Sequence, residues 1–224
     1  MATTSTNPAP YPREHLASKQ PGWSRLLAGG VSGNARLTAL AGILLLILLF
    51  AEGLTLLNIR ALFTAHAFVG FLLVPPLGLK LASTGYRFIR YYTGSARYRA
   101  AGPPQPLPRM LAPFLVLATL ALFGTGIAAL LEGPGNGRVW RGLHTDVFFF
   151  WFLLMSAHVL TYALRAWDFA RDDFSSLPYA TVAGSLTRRS LLVGSTLLGV
   201  AIAVALVPWD SGWVSWLSQF HHGG

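Results

Sequence analysis

The sequence predicts an all-α integral membrane protein, and three observations carry that prediction. The composition is 53% hydrophobic and only 11% charged, with a positive mean hydropathy, which separates the chain from soluble domains. Five apolar segments come close to or exceed the ~20 residues that a helix needs to cross a bilayer. One of them, Leu143–Leu164, carries His144 and His158 fourteen positions apart. At ~1.5 Å and ~100° per residue, that spacing separates the imidazoles by roughly 21 Å along the axis and only about 40° around it. Both rings leave one helix face at two depths, and a histidine inside a bilayer marks a functional site by default.

Taken in order, residues 1–36 are rich in Pro, Ser, Thr and Ala and read as a disordered cytoplasmic arm. The arm is too long and too polar for a signal-peptide n-region, and no small-x-small cleavage site follows the first apolar run. The spans fall at 37–57, 62–82, 110–131, 143–164 and 190–208. The link 83–109 holds Arg87, Arg90, Arg97, Arg99 and Arg109, and its GPPQPLP run stops a helix. The link 165–189 holds Arg165, Arg171, Arg188 and Arg189, whereas 58–61 and 132–142 carry only Arg60, Arg138 and Arg141. This asymmetry places the N-terminus and both long links in the cytoplasm, and the C-terminus on the periplasmic or extracellular side. The TRRSLLVGSTLLG stretch before the fifth span looks like a twin-arginine signal, but positive-inside anchoring accounts for it after four spans. In the tail 209–224, Trp209, Trp213 and Trp216 would share one helix face as an interfacial anchor. His221 and His222 read as solvated. The net charge of +9 follows from the cytoplasmic links, and no soluble basic fold is present to bind nucleic acid. With no cysteine, disulfides, iron–sulfur clusters and thiolate metal sites are excluded.

The topology makes the second and fourth spans parallel. His66 and His144 then lie at one outer depth, while Lys80, fourteen residues after His66, lies level with His158. Haem iron takes an axial nitrogen or sulfur donor on each face, supplied in bundles by facing helices. His66 with His144 meets that requirement. Lys80 with His158 is the inner candidate, provided the lysine is a neutral amine, and a lysine near a helix end also snorkels to head groups. The reading is therefore a four-helix haem-binding bundle over 37–164 plus a fifth transmembrane helix, carrying one or two b-type haems. Gly70 and Gly78 in the second span, and Gly124 and Gly126 in the third, would let a flat ring or a neighbouring helix approach closely. Arg60, Arg138 and Arg141 would pair with propionates of an outer haem, and Arg87 and Arg90 with those of an inner one. Glu52 in the first span is a candidate proton acceptor for quinol oxidation or a hydrogen-bond partner of a ligand histidine. Asp146 reads as interfacial.

The chain resembles the bacterial membrane cytochrome b superfamily over residues 37–164. The fourth span carries the matching histidine spacing, and in the second Lys80 stands where a histidine is expected. The segment LKLASTGYRFIRYYTG and the following YRAAGPP also look like actinobacterial-type cytochrome b/b6 domain proteins. That resemblance implies a partnership with a periplasmic molybdopterin-dependent oxidoreductase, for which the fifth span and tail would serve as the docking element. The function expected is electron transfer across a bacterial cytoplasmic membrane, between the quinone pool and a partner redox protein, as a subunit rather than a self-contained catalyst. No zinc-protease HExxH, phosphate-binding glycine loop or nucleophile elbow occurs. Two rivals remain: a metal-ion or proton transporter using His66, His144 and Glu52, and a cofactor-free membrane anchor whose histidines bond between helices.

Overall fold

The computed structural model describes residues 30–102, 106–174 and 184–219, and among these the chain is helical with no strand. Five long helices dominate: α1 Gly30–Thr55, α2 Phe63–Tyr92, α4 Pro106–Asn136, α5 Arg138–Phe174 and α6 Ser185–Leu206. Short helices α3, Ala96–Ala100, and α7, Ser211–Ser218, complete the set. All five long helices are long and apolar enough to cross a membrane, so the chain is a multi-pass helical membrane protein. Large apolar side chains such as Ile47, Phe50 and Leu160 point away from the protein, as a lipid-facing surface requires.

Each span is longer than its apolar stretch. The arm expected over 1–36 yields its last residues, Gly30–Arg36, to the first turns of α1, where Asn34 and Arg36 are buried. Asn34 Nδ2 donates to the Ser83 carbonyl at 3.0 Å, and the Thr38 and Ser83 hydroxyls meet at 2.9 Å. Residues 1–29 lie outside the described part. The link 83–109 is helical as far as Tyr92, and the chain turns through Gly94 (φ 90°) into α3. Arg109, at the start of α4, hydrogen-bonds the Tyr92 hydroxyl and lies over that ring. Residues 165–174 of the other long link continue α5, and 175–183 are outside the described residues.

The helices contact one another in the order α6, α2, α1, α5, α4. Thus α1 lies between α2 and α5, and the fifth span packs along α2 instead of standing apart from a closed four-helix bundle. Proline explains how closely α6 approaches. Pro76 has no N–H to give the Leu72 carbonyl, its i−4 partner. Gly199 of α6 sits against that carbonyl, where a Cβ would come within 2.5 Å of the oxygen. Backbone and small residues therefore make this interface, with Ala203 fully buried beside it. Gly199→Ala is expected to lose about 1–3 kcal/mol from forced overpacking. A drop in thermal unfolding midpoint in detergent would register it, and an unchanged midpoint would remove the Leu72 contact from the account.

The three tail tryptophans, expected on one helix face, divide between surface and interior. A 3-10 turn, Val207–Asp210, follows α6, and the α7 helix beyond it packs against α4 and α2. Trp209 stays exposed, but Trp213 is only 3% exposed. Its indole N–H donates to the Ala129 carbonyl at 3.1 Å, and its ring lies 5.8 Å from Phe63. The 3-10 turn and α7 touch both α2 and α4, so the tail bridges two separated spans at one end. His221 and His222 lie outside the described residues.

Candidate functional site

Antiparallel packing of α1 on α2 brings Glu52 and Thr55 level with His66. His66 Nδ1 lies 3.0 Å from Glu52 Oε1 and 3.0 Å from Thr55 Oγ1. The Thr55 hydroxyl donates its one proton to the Glu52 carbonyl at 2.5 Å, so towards the ring its oxygen accepts. The carboxylate also accepts. Both partners therefore place the ring proton on Nδ1 and leave the lone pair on Nε2.

His144 is held by the same logic from α4. Its Nδ1 lies 2.9 Å from the Leu122 carbonyl, a pure acceptor, and 3.3 Å from Thr125 Oγ1. Thr125 donates to the Ala121 carbonyl at 2.7 Å, so again the hydroxyl oxygen accepts. Gly126 makes room for the ring: a Cβ there would stand 2.9 Å from His144 Cε1. The two imidazole rings have their centres 6.3 Å apart and their planes nearly perpendicular, at 83°. A metal held between two imidazoles on opposite sides, at bonds of about 2 Å, sets their centres about 6 Å apart. The ring separation leaves room for one metal between the two imidazoles, and each ring is held through Nδ1 by acceptors, as metal-binding histidines are. Glu52 Oε2 is buried beside His66 with no hydrogen-bond partner among the described residues.

Seven residues further along each helix the interior is filled. Leu73 and Trp151 are both buried, and the Trp151 indole donates to Thr119 Oγ1 at 2.9 Å. Seven residues beyond them on the same two helices lie Lys80 and His158. Lys80 Nζ occupies a hollow over α1 that exists because residue 42 is glycine: a Cβ there would fall 2.7 Å from the nitrogen. The His158 ring stacks on Tyr162 at 4.9 Å.

Other predicted positions divide. Gly70 borders the site, its notional Cβ 3.7 Å from Glu52 Oε1, whereas Gly78 and Gly124 have open space around them. Gly124 is exposed on the face of α4 turned away from His144, so Gly126, and not Gly124, is the glycine that serves the histidine. Arg141 lies over both Trp213 and Trp216, 5.7 and 5.3 Å from the ring centres. Arg60, Arg138 and Asp146 are exposed at the same end, and Arg90 is exposed at the other. Thr55, Thr125 and Gly42 have roles that sequence reasoning did not assign. The available signal was weak: a threonine three residues after Glu52, and another immediately before Gly126.

Comparison with protein-family models, with curated proteins and with solved structures yields no match.

Proposed function

We propose that this chain is a membrane cytochrome b subunit of the bacterial cytochrome b superfamily. It would carry electrons across the cytoplasmic membrane between the quinone pool and a partner redox protein. The observation that carries the reading is the His66–His144 pair: two imidazoles 6.3 Å apart, each with Nδ1–H committed to acceptors. Two protein donors suit a macrocycle that brings its own equatorial nitrogens. A bare metal ion in a transport site needs three or four protein ligands, and no group of three His, Cys, Asp or Glu side chains able to hold one occurs among the described residues.

His66 and His144 would supply the axial nitrogens, and a bound haem b would supply a one-electron couple whose potential the surroundings set. Glu52 and Thr55 hold one imidazole in its tautomer, Leu122 and Thr125 hold the other, and Gly126 leaves the space for its ring. Crossing the full membrane calls for a second relay, and Lys80 with His158 is the donor set at the second depth, which extends the proposal to two haems. The arginines at the Lys80 end, Arg87, Arg90, Arg97, Arg99 and Arg109, support a cytoplasmic placement of that end. The His66 end is then outer, where a periplasmic molybdopterin-dependent oxidoreductase would be the partner.

Partners of ligand histidines are expected to matter nearly as much as the histidines. Thr55→Val and Glu52→Ala should each weaken haem retention about 10–100-fold, measured as haem per chain after dilution with a haem-scavenging apoprotein. Retention equal to wild type in both variants would detach these residues from the site.

A further inference from the structure

The C-terminal turn and helix lie above the histidine pair in a specific register. Three residues with the same helical offset meet Trp213. Phe63 stacks on it three positions before His66, and Arg141 lies over it three positions before His144. Ala129, whose carbonyl takes the indole N–H, is three positions after Gly126 on the antiparallel α4. Three residues are about 4.5 Å of rise and nearly one full turn. On three helices at once, therefore, Trp213 contacts the residue stacked directly above the one that forms the site. Gly137, at the junction of α4 and α5, completes the seat: a Cβ there would lie 3.2 Å from the indole. Trp216 also lies against Arg141 and meets the Trp213 ring edge-on at 5.8 Å, so two perpendicular indoles flank the guanidinium on one side.

We infer that the segment Val207–Ser218 is an intramolecular cap on the histidine pair, with Trp213 as the positioning residue that keeps the site closed to water. This role rests on the haem reading for its redox consequence, but not for its geometry. Burial of Trp213 on both α2 and α4 fixes the one end at which these two spans are otherwise unconnected. A dry site disfavours the more highly charged oxidised state of a haem, so an intact cap raises the potential and an open one lowers it.

The test compares full-length wild type, Trp213→Ala and Trp213→Phe in detergent. Spectroelectrochemical titration of the outer haem should give a more negative midpoint for Trp213→Ala. Trp213→Phe, which keeps the stack on Phe63 and Arg141, should return close to wild type. Equal midpoints in wild type and Trp213→Ala would overturn the cap. A colourless wild type would overturn the haem reading instead, and diethyl pyrocarbonate then decides the cap. Modification of His66 and His144, read by mass spectrometry, should be faster in Trp213→Ala than in wild type or Trp213→Phe. Equal rates in all three would overturn it.

Discussion

Replacing either His66 or His144 with alanine is expected to strip the outer haem from the protein. On the proposed reading each would supply one of the two protein bonds to the iron, so the loss should be at least as large as that from removing a ligand's hydrogen-bond partner, about 10–100-fold. The helices should survive, because neither ring is part of the buried apolar packing around Trp151, Leu115 and Ala118. The measurement is haem per chain with helicity by circular dichroism. The two variants should behave alike, since the imidazoles are equivalent in chemistry though anchored from different helices. His158→Ala should leave the outer site loaded. A haem content unchanged by His66→Ala and His144→Ala would remove the pair as the ligand set.

The second large effect is steric and needs no change of ligand. Gly126→Val is expected to displace the His144 ring, because even the first added carbon would lie 2.9 Å from Cε1 and 3.1 Å from Nδ1. The ring cannot yield without losing its bonds to the Leu122 carbonyl and Thr125. Haem should be lost nearly as completely as in His144→Ala, at a folding cost of about 1–3 kcal/mol. Gly124→Val, two residues away, meets nothing within 4 Å and should retain haem and stability. Equal retention in both valine variants would contradict the placement of His144 against α4.

The contrast between those two glycines shows where sequence reading stops. The five spans are legible because hydrophobic length is a property of each segment alone, and the repeated fourteen-residue spacing fixes relative depth within α2 and α5. Helix ends are less legible, since polar turns such as Gly30–Arg36 become helical once Asn34 and Thr38 find Ser83 across the α1–α2 contact. The anchors of the imidazoles depend on antiparallel register between different helices. Thr125 and Leu122 reach His144 only when α4 and α5 are paired, and nothing in composition sets that register to one residue. Gly42 is legible as a small residue, but its use, giving Lys80 Nζ a place to lie, appears only when α1 meets α2. Trp213 misleads most. Its spacing with Trp209 and Trp216 fits a membrane-surface helix, whereas the packing of α7 on α2 and α4 puts the Trp213 indole against Phe63 and the Ala129 carbonyl.

The most direct test of the central claim is a reduced-minus-oxidised visible spectrum of the purified chain, with haem quantified per polypeptide. Sharp b-type bands with two haems per chain are the predicted result, one at His66–His144 and one at Lys80–His158; a single haem lost in His144→Ala would confine the relay to the outer pair. A colourless protein, purified from a haem-sufficient host, would contradict the account.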